Sequence, residues 1–180
     1  MLAAGGAVWV GDETTLRELP PLRCAWAKRG KQAIVVISGR NSRRVIHGAI
    51  NVRTGKLVHL VRERSRQDDS IAFVTALGCQ DPGVPKLLIW DNAPPHHPTR
   101  VRQAAAAVGI TIAWLPFRAP ELNPCEDLWR LLKAKVAANR VYAEVADLAT
   151  AASRWLSALT SAQIRCSSGL TSSKFQWLST

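Results

Sequence analysis

Three acidic residues, Asp12, Asp91 and Glu126, stand where a fold could present them for chemistry. Asp12 closes the alternating run AVWVGD, in which Val8, Val10 and Asp12 share one face and Ala7 and Trp9 the other. Asp91 ends the apolar run LLIW and is followed at once by the rigid stretch NAPPHH. Glu126 falls three residues after Asn123, in the first turn of an expected helix. Carboxylates gathered at one sheet edge repel each other. A divalent cation removes that penalty, and oxygen ligands suit Mg²⁺ or Mn²⁺. Two such ions about 3.5–4 Å apart support in-line displacement at phosphorus. Each acid also has a plainer role open to it. Asp12 could be a strand-end acid beside Glu13, and Asp91 a turn cap through Asn92 and Pro94. Glu126 could complete a capping box with Asn123. His96 and His97 are adjacent, poor geometry for two ligands on one ion, and read as turn residues.

The elements that must position these acids can be read from hydropathy and turn chemistry. Residues 7–12 predict a strand that ends on Asp12, and the β-branched run AIVVIS at 33–38 predicts another. Residues 44–51 and 56–62 bracket RTG, a hairpin signal with Gly55, so a meander follows the first strand. Residues 67–77 have helical spacing, with Asp68 and Asp69 in the first turn where the helix dipole favours acids. Residues 87–90 predict a central strand covered on both faces. An alanine-rich helix at 99–108, stopped by Gly109, leads to a strand at 110–115, which makes a βαβ unit with parallel strands. Asn123 is a good N-cap and Pro124 fits the first helical position, after which Cys125, Leu128, Trp129, Leu132 and Val136 recur at helical spacing. Residues 144–159 predict a further amphipathic helix, and the tail from Thr160 is Ser/Thr-rich and weakly patterned. If the strands carrying Asp12 and Asp91 are adjacent and parallel, their carboxylates meet at one edge, where ligand sites of open α/β sheets lie.

Composition bounds the partners. The chain has 180 residues and 47% hydrophobic content, enough for one domain with a core. No apolar run approaches the roughly 20 residues of a membrane span, and the apolar start lacks a basic leader, so a cytoplasmic location is the default. Cys24, Cys79, Cys125 and Cys166 are scattered without a close pair, which argues for reduced structural thiols rather than a zinc site. Residues 17–66 hold thirteen Lys or Arg against two acids, an excess equal to the whole net charge of +11. A half this basic points to a polyanion such as nucleic acid.

The blocks WVGDET, LLIWDNAPPHH and LPFRAPELNPCEDLWRLLK resemble the three signatures of DDE transposases, in the bacterial insertion-sequence branch of the mariner superfamily. WAKRGKQ and GAINVRTG are similar to its connecting segments, and the likeness runs from Val8 to Arg140. The 34 residues between Asp91 and Glu126 fit that superfamily's spacing. The resemblance implies a ribonuclease-H-like α/β fold, a mixed sheet with flanking helices, with Asp12, Asp91 and Glu126 as the catalytic, metal-binding triad. It implies two Mg²⁺ or Mn²⁺ ions, cleavage at transposon ends and strand transfer into target DNA, by a complex that is active as a homodimer in the bacterial nucleoid. A helix-turn-helix region precedes the catalytic domain in full-length members and is absent from this sequence. The chain then reads as one catalytic domain, with a core at 7–140 and a helical region at 141–180. His96 matches a histidine usual in its block. Arg40, Arg43, Arg44, Arg130, Lys133 and Lys135 are the expected phosphate contacts, which position DNA without reading its sequence. The alternatives are a catalytically inactive DNA-binding remnant and another nuclease of the same fold.

Overall fold

The structure, a computed structural model, describes residues 5–37, 39–117 and 119–178. Strands β1 (Ala7–Arg17), β2 (Arg43–Asn51) and β3 (Leu57–Arg62) form the expected antiparallel meander, and helix α1 (Gln67–Gly78) crosses to β4 (Lys86–Trp90). Helix α2 (Thr99–Ala107) then leads to β5 (Ile110–Trp114), parallel to β4. Helix α3 (Pro124–Leu132) continues into a wider turn at Lys133–Ala137, followed by α4 (Val145–Ala158), α5 (Ser161–Ser167) and a 3₁₀ segment at Ser173–Leu178. Among the described residues the sheet has the order β3-β2-β1-β4-β5, with β1 parallel to β4. Asp69 accepts a hydrogen bond from the backbone N–H of Arg66 at 3.0 Å and so fixes the start of α1. Among the described residues, no helix is long and apolar enough to cross a membrane.

Two expectations need correction. β1 does not stop at Asp12 but runs five residues further to Arg17, because β2 pairs along that whole length, as far as Arg17 opposite Arg43. The β-branched run at 33–38 does not form a strand. Residues 33–37 join no strand of the sheet, Ile34 and Val36 are exposed, and Ser38 lies outside the described residues. Strand propensity alone does not make a strand, since what it favours is packing against cross-strand neighbours. The weakly patterned tail, by contrast, is structured. Phe175 and Leu178 are buried against Val8, Val10 and Val52, so the C-terminal segment closes over the start of β1.

Strand alternation sorts the core into two layers. On one face Leu16, Ile46 and Ile50 pack with Cys125, Leu128, Trp129 and Leu132 of α3 and with α4. On the other Trp9, Ala49, Leu88 and Trp90 pack with Phe73 and Leu77 of α1 and with Val101 of α2. Asp12 is on the α3 side of β1, and Glu13 is turned to the α1 side. The α3 layer depends on close approach at Gly48, which lies opposite Asp12 in the register. A Cβ there would sit 2.6 Å from Cη2 of Trp129, whose side chain is fully buried. Gly48→Ala should therefore destabilise the fold by about 1–3 kcal/mol through overpacking. Urea unfolding should show a lower midpoint with an unchanged slope, and an unaltered midpoint would mean that Trp129 can move aside.

Candidate active site

The parallel register of β1 and β4 builds the site. Val10 is level with Ile89, so two residues further along, Asp12 comes level with Asp91 just beyond the last residue of β4. Glu126 arrives from the other direction, in the first turn of α3. Asn123 fixes that turn from both sides. Its Oδ1 accepts from the backbone N–H of Cys125 at 3.0 Å, and its Nδ2 donates to the Gly11 carbonyl at 3.0 Å. The thiol of Cys125 also donates to the Val10 carbonyl at 3.2 Å. The start of α3 is thus pinned to the β1 backbone beside Asp12. No capping box forms here, and among the described residues no hydrogen bond or ion pair engages the Glu126 side chain. Its capping role is therefore not taken up.

Asp12, Asp91 and Glu126 line one cavity of about 270 Å³, together with Asn92, Pro94, Pro116 and Asn123. Asp12 is buried. Burial, and then the nearby carboxylates of Glu126, Glu13 and Asp91, push its carboxyl well above the ordinary range. Oδ2 of Asp12 and Oδ1 of Asp91 are buried without a hydrogen-bond partner. Buried carboxylate oxygens are costly to leave unpaired, so these atoms could serve as ligands to a cation.

Behind Asp91, on the α1 side, lies a second polar cluster. Glu13 accepts from His47 Nδ1 at 2.9 Å, from Trp90 Nε1 at 3.2 Å and from His96 Nε2 at 3.0 Å. His96 Nε2 is also 3.0 Å from Asp91 Oδ1, but off the axis of a hydrogen bond, so that oxygen counts as close to a charge yet without an aligned donor. The His96 ring stacks on Trp90 with centroids 3.7 Å apart, and its Nδ1 is 3.1 Å from Ser70 Oγ. Glu13, Asp91 and His96 place one polar atom each within 4.8 Å of one another. Asp12, Asp91 and Glu126 do not close to that distance, as expected for like charges facing each other across a cavity.

A family profile for DDE superfamily endonucleases matches residues 7–149. The chain belongs to this family. The uncharacterized protein y4pE/y4sA of Sinorhizobium fredii is 30% identical over 106 residues, covering 58% of this chain and 76% of that protein. Among solved structures, the Mos1 mariner paired-end complex with Mn is similar at 15% identity with a TM-score of 0.71, covering 95% of this chain and 53% of that one. The catalytic domain of Mos1 mariner transposase is similar at 14% identity with a TM-score of 0.64, covering 94% and 78%. These likenesses establish the ribonuclease-H-like fold that the sequence predicted. The chain spans about half the length of the full Mos1 transposase chains it matches. DDE transposases work with divalent metal ions, and the unpaired oxygens of Asp12 and Asp91, facing Glu126, suit this DDE endonuclease to such an ion.

The expected phosphate contacts divide into two groups. Arg40 is paired with Glu18 at 2.7 Å and donates to the Ala143 carbonyl, Arg44 is paired with Glu63 at 3.5 Å, and Arg130 with Asp127 at 2.8 Å. Among the described residues Arg43, Lys133 and Lys135 have no ion pair. Arg43 lies at the far end of the β1–β2 ribbon opposite Arg17, and Lys133 shares a groove with Arg17 and Thr15. Sequence reading missed the cluster behind Asp91. Extending the alternation of residues 7–12 by one position would have placed Glu13 on the Trp9 face. Its partners His47 and His96 come from distant segments that only the fold brings near.

The Glu13–His96 pair carries a pH signature. Burial raises the Glu13 carboxyl, but the hydrogen bonds from His47 and His96 outweigh it and hold the group at about 2, down from 4.5. Burial lowers His96, but its contacts with Asp91 and Glu13 outweigh it and raise the ring to about 9, up from 6.5. A depressed acid stabilises above its unfolded value and loses that contribution as pH falls through the folded one. A raised base stabilises below its unfolded value and loses that contribution as pH rises through the folded one. The stability gap between the native protein and Glu13→Gln should thus be widest between pH 4.5 and 6.5, on the order of 3 kcal/mol for a broken buried pair. It should shrink towards pH 2 and towards pH 9. Urea titrations across that range check it, and a gap that stays flat would remove the ion pair from the account.

Proposed function

We propose that this chain is the catalytic domain of a cut-and-paste DNA transposase, with Asp12, Asp91 and Glu126 as its catalytic and metal-binding residues. The reading rests on one observation above the others. Three acids from β1, the end of β4 and the start of α3 converge on a cavity in which two buried carboxylate oxygens have no partner. Two Mg²⁺ or Mn²⁺ ions bound there would activate a water or a DNA 3′ hydroxyl and neutralise charge at the scissile phosphate. Asp12, within β1, stands level with Asp91, just past the tip of β4, and Glu126 closes the site from a helix start anchored through Asn123. No protein nucleophile is required. Cys125 in particular is buried, hydrogen-bonded to a backbone carbonyl, and raised by burial above its ordinary range. The C-terminal helical region belongs to the same domain, since Phe175 and Leu178 pack on β1.

The substrate reading is DNA, both transposon ends and target. The basic excess of residues 17–66 supports it, as does the placement of Arg17 and Arg43 beyond Asp12 on the same ribbon. A homodimer in the active complex is supported by residues 19–37, a segment outside the sheet on which Leu22, Trp26, Ile34 and Val36 are all exposed. Apolar side chains concentrated on one segment mark an interaction surface. Neither point depends on a membrane.

The metal reading predicts that Mn²⁺ raises the melting temperature of the protein, because only the native state offers the site. Asp91→Asn should abolish that rise and all strand cleavage while leaving the fold intact, and so should Glu126→Gln. Cleavage is assayed on DNA carrying the element's own ends. Glu126→Gln with a normal cleavage rate would reduce that residue to a helix-start acid and end the three-acid reading. Asn123→Ala is the contrasting variant. It strands the Gly11 carbonyl and the Cys125 N–H, and should cost about 1–3 kcal/mol of stability.

The DNA reading predicts a steep salt dependence of non-specific binding. Replacing Arg43, Lys133 and Lys135 together by Gln should reduce the slope of log affinity against log salt by about 2.7 if all three meet phosphates. Fluorescence anisotropy over a salt series measures this, and an unchanged slope would put the DNA on another face. Arg40→Gln should act on stability instead, since its guanidinium is held by Glu18.

A further inference from the structure

The buried cluster of Glu13, His96, His47, Ser70 and Trp90 serves no step of the chemistry described above, yet it lies against one of the proposed metal ligands. We propose that Glu13 and His96 are positioning residues for Asp91, with His96 fixing the carboxylate in place and Glu13 fixing His96. The inference rests on the reading of Asp91 as a metal ligand and adds a function to residues that this reading leaves idle.

The geometry carries it. The imidazole of His96 is held on one face and at both ring nitrogens. Trp90 stacks on its plane at 3.7 Å, Ser70 Oγ lies 3.1 Å from Nδ1, and Glu13 Oε2 lies 3.0 Å from Nε2. The ring is fully buried. Glu13 is held in turn by His47 and Trp90 on its other oxygen. The result is a chain of contacts from β2 through β1 to the turn after β4, ending 3.0 Å from Asp91 Oδ1.

Glu13, Asp91 and His96 are close enough to suggest a metal site of their own. The donor arrangement argues against it. A carboxylate only accepts hydrogen bonds, so the hydrogen bond to Glu13 puts a proton on Nε2. A protonated ring nitrogen has no lone pair for an ion. What His96 offers Asp91 is a polar N–H edge beside Oδ1, off the hydrogen-bond axis, which orients the carboxylate without occupying its lone pairs. Ligating carboxylates held this way by a second layer of polar groups bind metal more tightly, because less freedom is lost on coordination. Strand parity explains why two neighbouring acids divide the work. Asp12 faces the cavity on the α3 side, while Glu13, one residue on, faces the α1 side and reaches Asp91 from behind through His96.

The test is Mn²⁺ affinity of the whole protein, measured by calorimetry and by water-proton relaxation, with no DNA present. His96→Leu should weaken Mn²⁺ binding by about 10–100-fold. His96→Gln, which can restore an N–H near the same place, should recover part of the loss, and Glu13→Gln should weaken binding in the same direction. Phe73→Leu thins the same core beside Trp90 without removing a polar atom, and should leave Mn²⁺ affinity unchanged even if it lowers the melting temperature as much. If His96→Leu fails to fold, His96→Gln and Glu13→Gln decide the matter alone. A folded His96 or Glu13 variant with native Mn²⁺ affinity overturns the proposal, and so does a Phe73→Leu loss as large as theirs. Failure of the underlying reading looks different: the native protein would then bind no Mn²⁺, or would bind it equally well after Asp91→Asn, and both proposals would fall together.

Discussion

Repulsion between carboxylates is the constraint that the rest of this structure has to withstand. Asp12, Asp91 and Glu126 face one cavity, and burial, then the charges of Glu126, Glu13 and Asp91, raise the cost of ionising Asp12. Left to themselves, flexible acids would swing apart into water. Here they cannot, because each is attached to something rigid. Asp12 is in the middle of an eleven-residue strand and paired with Gly48 of β2, Asp91 follows the interior strand β4, and Glu126 is one turn into a helix tied to the Gly11 and Val10 carbonyls. The sheet and the helix start supply the force that holds like charges together, and a divalent cation would relieve it.

That requirement explains features far from the acids. Gly48 lets Trp129 lie flat against β2, which seats α3 and therefore Glu126. Pro124 begins α3 without wasting an N–H, and Asn123 uses both ends of its amide. Phe175 and Leu178 cover Val8 and Val10, so the part of β1 that leads into Asp12 is buried. On the opposite face Phe73, Trp90 and His47 surround the polar cluster that reaches Asp91. The two layers meet at the tip of β4, where Asp91 lines the cavity on one side and lies beside His96 on the other.

The distribution of positive charge follows a similar division. Arg40, Arg44 and Arg130 spend their charge on Glu18, Glu63 and Asp127, and so hold segments of the chain together. Such exposed or half-exposed pairs add little stability each. Arg43, Lys133 and Lys135 face outward without a carboxylate partner among the described residues. A count of basic residues therefore overstates the charge available to a polyanion, and only the pairing pattern separates the two uses.

Much of the site was legible in the linear sequence because its signals are local. Alternation in residues 7–12 placed Asp12 on one face, an apolar run ending in Asp-Asn-Ala-Pro-Pro marked a strand tip, and Asn-Pro three residues before Glu126 marked a helix start. The meander and the βαβ unit followed from turn residues and hydrophobic period, and the resemblance of three blocks supplied the fold and chemistry. What depended on distant partners was not legible. The length of β1 was set by its pairing with β2, so a strand that reads as ending at Asp12 continues to Arg17. Residues 33–37 have every local mark of a strand and form none, because no neighbouring strand pairs with them. The tail has no periodic signal, yet Phe175 and Leu178 find an apolar patch made by β1. The histidines were the least legible of all. His47 and His96 are 49 residues apart in the chain and meet only through Glu13, which the β1–β2 register sets opposite His47. Local chemistry determined which residues could act. The register between strands, a long-range choice made by packing both faces of the sheet at once, decided which of them meet.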